Sequence, residues 1–249
     1  DHLTRLVRNL GELSLAHALS GHDLGAVLPE LVVGSRVDHG MVYVQITRGY
    51  APRDFVFPRP PHPTVVAYAR SKPAPTAEEI LAGTTLHPVE DLRWARCDIK
   101  TTNLLPAVLA KEEARNAGAD EALFVAADGV VREGGSSNVF AFLHGVLRTH
   151  PLSNRILAGV TRKHVIEFAH REGYRVEERA FTLAEVTTEC EPECEVFSAS
   201  TTRDVTPVVR IGSHTVGNGR PGRVTLALLD VMRREQALLV GLEPPAPLS

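Results

Sequence analysis

The sequence has no excess of charge of either sign and few aromatic residues. Lysine and arginine total 27 against 30 acidic residues, and only 5% of the residues are aromatic. Proteins that bind nucleic acid carry a basic face, often interleaved with aromatic side chains, and the sequence shows neither. We therefore predict that nucleic acid is not a partner.

Long apolar runs are lacking as well, and so is an N-terminal layout of charged and then apolar residues. Without them the sequence predicts neither a membrane span nor a secretion signal, and we expect a soluble protein. Cysteine is scarce. The odd set of Cys97, Cys190 and Cys194 is typical of a reducing compartment rather than of a disulfide framework, so the predicted location is the cytoplasm.

Metal-binding patterns are also missing. The two cysteines of CEPEC (190–194) have three residues between them, which is neither the spacing of a redox pair nor that of half a zinc site. None of the eleven histidines belongs to an HExxH motif. We predict no metal site.

What is present is a mixture of two periodicities. Apolar residues at helical spacing and alternating apolar and polar residues occur without a strict strand-helix alternation, which predicts a mixed α/β fold of the α+β type. The predicted helices are 1–19, 23–32, 103–117, 160–172 and 222–240. The predicted strands are 42–47, 64–70, 121–127, 138–143, 146–149, 174–180 and 194–199, with strand character over 84–100.

A shift in composition divides the chain. Residues 71–83 contain two prolines and several small residues with no alternating pattern, which favours an interdomain linker. We predict a small N-terminal α/β domain over 1–75, a linker over 76–83 and a larger C-terminal domain over 84–249.

The segment RCDIKTTNLLPAVLAKEEA (96–114) places a lysine where the period changes. Alternation over 96–100 predicts a short strand that ends at Lys100, with Lys100 on the charged side. Thr101, Thr102 and Asn103 are residue types that cap helices, and the apolar residues after them recur at helical spacing. Lys100 is therefore predicted to lie at a strand-to-helix junction.

Four motifs in order carry a resemblance to a known family. RCDIKTTNLL, REGGSSNVF (132–140), ILAGVTR (156–162) and STTRDVTPV (200–208) resemble the class IV, fold type IV, aminotransferases that use pyridoxal phosphate, and most of all the D-amino-acid type. The resemblance covers essentially the whole chain, with one departure. The resembled proteins begin with a strand-rich segment that contains a substrate-contacting Tyr, and this sequence starts after it, so we expect an incomplete small domain.

The resemblance implies the fold, the cofactor and the assembly. It implies a two-domain fold type IV enzyme whose larger domain binds pyridoxal 5'-phosphate, and a homodimer. The implied catalytic residue is Lys100, whose amine forms the covalent link to the cofactor and then moves the proton of the substrate Cα. Glu133 matches the carboxylate that faces the pyridine nitrogen and keeps it protonated.

The same resemblance implies the other contacts. A phosphate cup would use backbone N–H groups at a helix start, where the dipole favours an anion. The implied cofactor-binding residues are Arg5, Lys100, Glu133, Asn138, Leu157, Val160, Thr161 and Thr201. The implied substrate-binding residues are Arg53, Ser200 and Thr202. In the loop RGYAPRDFVFP (48–58), Arg53 matches an Arg of the family that binds the substrate carboxylate, but Phe55 stands where a His is usual.

The implied activity is transamination between a D-amino acid, such as D-alanine, and a 2-oxo acid, such as 2-oxoglutarate. A branched-chain L-amino-acid aminotransferase or an aminodeoxychorismate lyase shares the fold and the lysine. The RCDIK and STT motifs favour the D-type. A cofactor-binding protein without turnover is the non-enzymatic alternative, and the missing N-terminal segment favours it.

Overall fold

The computed structural model describes residues 1–249, which form two compact units. The first runs from Asp1 to Ala74 and the second from Pro75 to Ser249. The segment 76–83, for which we predict a linker, contains a helix, α3 (Ala77–Ala82), and its Ile80 is buried in the core of the second unit. The division of the chain into domains and linker stays a prediction.

The first unit combines helices with one hairpin. Its elements are α1 (His2–Glu12), a 3-10 turn (Ala16–Leu19), α2 (Leu24–Ser35), β1 (Gly40–Thr47) and β2 (Thr64–Ser71). The strands pair antiparallel, from Gly40 with Ser71 to Thr47 with Thr64. The helix predicted over 1–19 is wrong beyond Glu12. Ser14 has a φ of 54°, a left-handed conformation that interrupts the helix before the 3-10 turn.

The second unit is built on one mixed sheet. After α3 its elements are β3 (Thr84–Glu90), α4 (Leu105–Asn116), β4 (Glu121–Val125), β5 (Val131–Gly134), β6 (Asn138–Leu143), β7 (Val146–Thr149), α5 (Val160–Arg171), β8 (Arg175–Glu177), β9 (Glu195–Ser200), β10 (Asp204–Ile211), β11 (His214–Thr215) and α6 (Arg223–Leu239), with a short 3-10 turn at Ala184–Val186. The strand order is β5-β4-β3-β10-β9-β6-β7-β8, and β11 pairs with β10.

Both parallel and antiparallel pairs occur in this sheet. The pairs β3 with β10, β3 with β4 and β7 with β8 are parallel, and the other pairs are antiparallel. The predicted mixture of strand and helix without regular alternation is confirmed. The strand over 138–143 and the helices over 160–172 and 222–240 are also confirmed, with ends within two residues of the predicted ones.

Apolar side chains cover both faces of the sheet. On one face Phe140 stacks on Phe197 with ring centroids 4.9 Å apart, in a cluster that includes Val165 of α5 and Leu228 of α6. Val139, the neighbour of Phe140, lies in a second cluster on the opposite face. The strands β6 and β9 are therefore buried on both sides and form a rigid support for the residues at their ends.

The predicted strand over 96–100 is wrong. Regular strand pairing ends at Glu90, and Cys97 and Asp98 form a turn in which Ile99 N–H donates to the carbonyl of Arg96 at 3.1 Å. The predicted helix cap is wrong as well. The N-cap of α4 is Leu104, which makes no side-chain cap, and Pro106 follows in the first turn. Lys100 lies in an exposed, irregular segment between β3 and α4.

Candidate active site

The short hairpin of β5 and β6 presents Glu133, whose carboxylate is buried. The hairpin turn GGSS is held by Glu121, which accepts hydrogen bonds from Ser136 N–H at 2.8 Å and from the Ser137 hydroxyl at 3.0 Å. A side chain at Gly134 would overlap the Ser137 hydroxyl, so the tight turn requires glycine there. With the turn fixed, Glu133 is 5% exposed and lies inside the second unit.

Two more of the residues implied by the resemblance contact this carboxylate. Asn138, the first residue of β6, donates from Nδ2 to Glu133 Oε2 at 3.0 Å and to the carbonyl of Leu157 at 2.9 Å. The N–H of Leu157 donates to the carboxylate of Glu133, at 3.0 Å to Oε2. Glu133, Asn138 and Leu157 therefore form one hydrogen-bonded cluster.

A fourth member of the cluster is a residue that sequence reasoning missed. Arg93 forms an ion pair and a hydrogen bond with Glu133 through Nη1, and it is held on its other side by Asp91. The available signal was the pair of opposite charges two residues apart, ahead of Lys100. That spacing occurs on many solvated surfaces, so the signal could not identify the contact with Glu133.

Burial controls the electrostatics of the cluster. Removal from water raises the pKa of Glu133, and the charge and hydrogen bond of Arg93 and the N–H of Leu157 act against it, so that the pKa is raised to about 7. Burial alone lowers the pKa of Arg93, but the hydrogen bonds and charges of Asp91 and Glu133 outweigh it and raise that pKa above its ordinary value. The arginine stays charged, while the carboxyl group can change protonation state near neutral pH.

The helix α5 begins three residues after Leu157. Its N-cap is Gly159, and no side chain caps its first turn, which contains the largely buried Val160 and Thr161. A side chain at Gly159 would overlap Oδ1 of Asn138, so the backbone approaches the cluster closely at this point. The uncapped first turn presents N–H groups that can bind an anion.

The register of the sheet brings the STT turn to the same edge. Asn138 pairs with Ala199 of β9, and β9 ends at Ser200. Thr201 and Thr202 follow in the turn to β10, next in sequence to the strand residue beside Asn138. The start of β6, the end of β9 and the start of α5 thus supply neighbouring polar groups.

Hydrogen bonds tie the segment that carries Lys100 to the residues ahead of α5. Asn154 Nδ2 donates to the carbonyl of Ala95 at 2.8 Å, and Cys97 N–H donates to the carbonyl of Asn154 at 2.9 Å. Arg93 Nη2 donates to the carbonyl of Arg155 at 3.2 Å. Lys100 itself is exposed, three residues beyond the last of these anchors.

Two of the implied residues belong to the first unit. Arg5 lies on α1, where burial lowers its pKa. Arg53 is exposed in the loop between β1 and β2, with its guanidinium 5.3 Å from the ring centre of Phe55. Their participation in the site stays a prediction. None of the helices of either unit combines the length and apolar composition needed to cross a lipid bilayer.

Comparison with known proteins adds to this geometry. The family model of amino-transferase class IV matches residues 1–211. The chain belongs to the class IV aminotransferases. It is 39% identical to the D-alanine aminotransferase of Staphylococcus haemolyticus over 92% of this chain and 79% of that protein, and 38% identical to that of Bacillus licheniformis over 90% and 77%.

Solved structures of class IV enzymes have the same fold. A branched-chain amino acid aminotransferase from T.th., solved with pyridoxamine 5'-phosphate, is 31% identical, with a TM-score of 0.68 over 82% of this chain and 67% of that one. The branched-chain enzyme of Escherichia coli, at 23% identity, has a TM-score of 0.81 over 97% and 78%. The fold predicted from the sequence motifs, fold type IV, is confirmed.

Proposed function

We propose that the protein transfers an amino group between a D-amino acid and a 2-oxo acid with pyridoxal 5'-phosphate as cofactor. The observation that carries the proposal is the buried Glu133 carboxylate, hydrogen-bonded to Leu157, directly ahead of an uncapped helix start. One group is an acid next to which a protonated ring nitrogen can be held. The other is a donor set for a dianionic phosphate.

These residues fit the cofactor chemically. The first turn of α5, with the N–H groups of Val160 and Thr161, would bind the phosphate, and Arg5 and Thr201 are proposed to complete that cup. Asn138 and Leu157 orient the carboxylate of Glu133 through hydrogen bonds. Gly159 allows the backbone to approach, since any side chain there would overlap Asn138.

The chemistry divides between cofactor and protein. When bound, pyridoxal phosphate accepts the electron pair that is left when the substrate Cα–H bond breaks. In its ionised form Glu133 holds a proton on the pyridine nitrogen, which is the role for which a buried carboxylate is suited. The Nζ amine of Lys100 accepts the proton from the substrate Cα and returns it, as general base and then as general acid.

Substrate choice is proposed from the relatives. The curated proteins of known name at 37–39% identity are D-alanine aminotransferases, so the proposed donor is a D-amino acid such as D-alanine and the acceptor a 2-oxo acid such as 2-oxoglutarate. Arg53, Ser200 and Thr202 are proposed to bind the substrate. Similarity at 31% identity to a branched-chain enzyme favours a branched-chain L-amino acid as the second candidate. A product assay with both enantiomers of alanine and leucine decides between them.

The proposed assembly is a homodimer in the cytoplasm. On α4 and the residue before it, an apolar stripe is solvent-exposed in the single chain: Leu104, Leu105, Val108 and Leu109 are each at least 55% exposed. Such a contiguous apolar surface is typical of a self-complementary interface, and a second copy of this chain would bury it. The three unpaired cysteines suit a reducing compartment.

The decisive experiment uses the colour of the bound cofactor. Protein supplied with pyridoxal phosphate should absorb visible light, and borohydride should abolish this absorbance and fix the label on the peptide that contains Lys100. Lys100→Ala should lower turnover by about three orders of magnitude or more, because both the covalent link and the proton transfer are lost. A colourless protein in the presence of excess cofactor contradicts the proposal.

A further inference from the structure

We propose that Arg93 is a positioning residue of this site, which fixes the Glu133 carboxylate and ties it to the segment that carries Lys100. The inference rests on the proposed function, because Glu133 acts there as the partner of the cofactor. Arg93 itself is not proposed to touch substrate or cofactor. It acts through Glu133, and the argument concerns how firmly Arg93 is held and what its charge does.

Arg93 is held on two sides. Its Nε lies 2.8 Å from Oδ1 of Asp91 and its Nη2 lies 2.9 Å from Oδ2, a two-point contact that fixes the plane of the guanidinium. The group also lies 4.1 Å from the ring centre of Phe124, a core residue of β4. A buried guanidinium fixed in this way presents its remaining donor, on Nη1, to Glu133 in one orientation.

Among the hydrogen-bond donors of Glu133, only Arg93 carries a charge. Asn138 and the N–H of Leu157 are neutral, so they orient the carboxylate but add little to counter the effect of burial on its charge. Asp91, which lies behind Arg93, adds negative charge that raises the pKa of Glu133 further. The arginine is therefore the residue on which an ionised Glu133 depends.

Arg93 also joins two segments that must be placed together. It lies in the loop that leads to Lys100, and besides Glu133 it contacts the carbonyl of Arg155 at 3.2 Å, in the segment that leads to α5. Loss of the arginine would release contacts to both segments. A lysine could supply charge at this position, but it has no fork that reaches Asp91, Glu133 and Arg155 at once.

The test compares Arg93→Met and Arg93→Lys with a matched control, Arg148→Met. Arg148 is 12% exposed in its side chain against 11% for Arg93, and it pairs with Glu177 and Glu185, remote in sequence from the segments of the site. Asp91→Asn is a second variant that keeps the arginine but weakens its support. Each protein is studied without cofactor, by unfolding as a function of pH, and with pyridoxal phosphate, by equilibrium dialysis.

The cofactor-free measurement reads Glu133 directly. In the parent the pKa of Glu133 is raised to about 7 in the folded state, so its contribution to stability is present at low pH and is lost as pH rises from its unfolded value through about 7. The other charged or titratable groups near it are Asp91, Arg93 and Cys97. Arg93 stays charged, and Cys97 stays neutral because burial raises its pKa. Without Arg93 the decline in stability should extend to higher pH.

The expected results separate a positioning role from a structural one. Arg93→Met should bind pyridoxal phosphate about tenfold more weakly or worse and show the displaced pH profile, the effect of losing one charge-assisted pair. Arg93→Lys and Asp91→Asn should fall between it and the parent, and Arg148→Met should change neither quantity. If Arg93→Met behaves as Arg148→Met does, the inference is overturned. If the parent binds no cofactor, it is the proposed function that fails, and the pH profile still decides whether Arg93 keeps Glu133 ionised.

Discussion

Two helices of the second unit begin in the same way and are completed differently. Both α5 and α6 have a glycine N-cap, Gly159 and Gly222, and neither glycine can offer a side-chain cap. At α6 the missing cap is replaced by Glu195, whose carboxylate accepts from Val224 N–H at 3.0 Å and from Thr225 N–H at 2.8 Å. At α5 the nearest carboxylate, Glu133, accepts from Leu157, ahead of the helix, and leaves the first turn uncapped.

The difference shows how one device serves structure in one place and binding in another. A carboxylate on a helix start satisfies its N–H groups and its dipole, so the start of α6 has no need of a ligand. In α5 the carboxylate is displaced by one turn, where it forms the cluster with Arg93 and Asn138 instead. The donors of α5 are then available for an anion, and the predictions below test this distinction.

The largest expected effect separates the two carboxylates by turnover. Glu133→Gln should lower kcat by roughly a hundredfold or more, because an amide keeps the shape but cannot hold the proton on the ring nitrogen. Glu195→Gln should leave kcat within about twofold, since that carboxylate only caps a helix. Steady-state kinetics of the two variants at saturating cofactor measure both. A Glu133→Gln enzyme that works at the parent rate would remove Glu133 from the mechanism.

The second effect is on stability and has the opposite distribution. Glu195→Ala removes three hydrogen bonds at the start of α6, two from N–H groups and one from the Thr225 hydroxyl. The free energy of unfolding should fall by about 2 kcal/mol, the order expected for charge-assisted bonds at a helix start. Chemical denaturation of the cofactor-free protein measures it. The affinity for pyridoxal phosphate should stay unchanged, and a parallel loss of affinity would show that the two helix starts are not independent.

The two glycines allow a matched pair of substitutions. A Cβ at Gly159 would overlap Asn138, and a Cβ at Gly222 would overlap Glu195. Gly159→Ala should weaken cofactor binding by about tenfold, since overpacking by one methyl group typically amounts to about 1 to 3 kcal/mol. Gly222→Ala should lower stability and leave the dissociation constant of the cofactor as it is. Equal effects of both variants on binding would contradict the assignment of α5 as the phosphate site.

Local sequence patterns predicted part of this arrangement. NVFAFL (138–143) is confirmed as a strand because its conformation follows from β-forming residues in a short apolar run. β10 was not predicted, since Pro207 lies in its middle, although the structure pairs Pro207 with Phe197. The segment 91–100 could not be read as an irregular loop, because its shape depends on Asn154 and Glu133, which are 40 or more residues away. For the same reason the family motifs identify Glu133 but not Arg93.

The smallest expected effect tests the start of α5 without any cofactor. If its N–H groups bind the phosphate of pyridoxal phosphate, inorganic phosphate should bind there weakly and stabilise the cofactor-free protein. At a phosphate concentration ten times its dissociation constant the stabilisation is about 1.4 kcal/mol, a rise in Tm of about 3 to 6 °C. Potassium chloride at matched ionic strength is the control for general screening.

Variants at the two helix starts then locate the effect. Gly159→Ala should reduce the shift, because the methyl group disturbs the backbone that presents Val160 and Thr161. Glu195→Ala should keep it, since the donors of α5 are untouched, and could only enlarge it by exposing the N–H groups of Val224 and Thr225 to the same anion. A shift that persists in Gly159→Ala and disappears in Glu195→Ala would place the anion at α6, and the contrast between an open and a capped helix start would then be wrong.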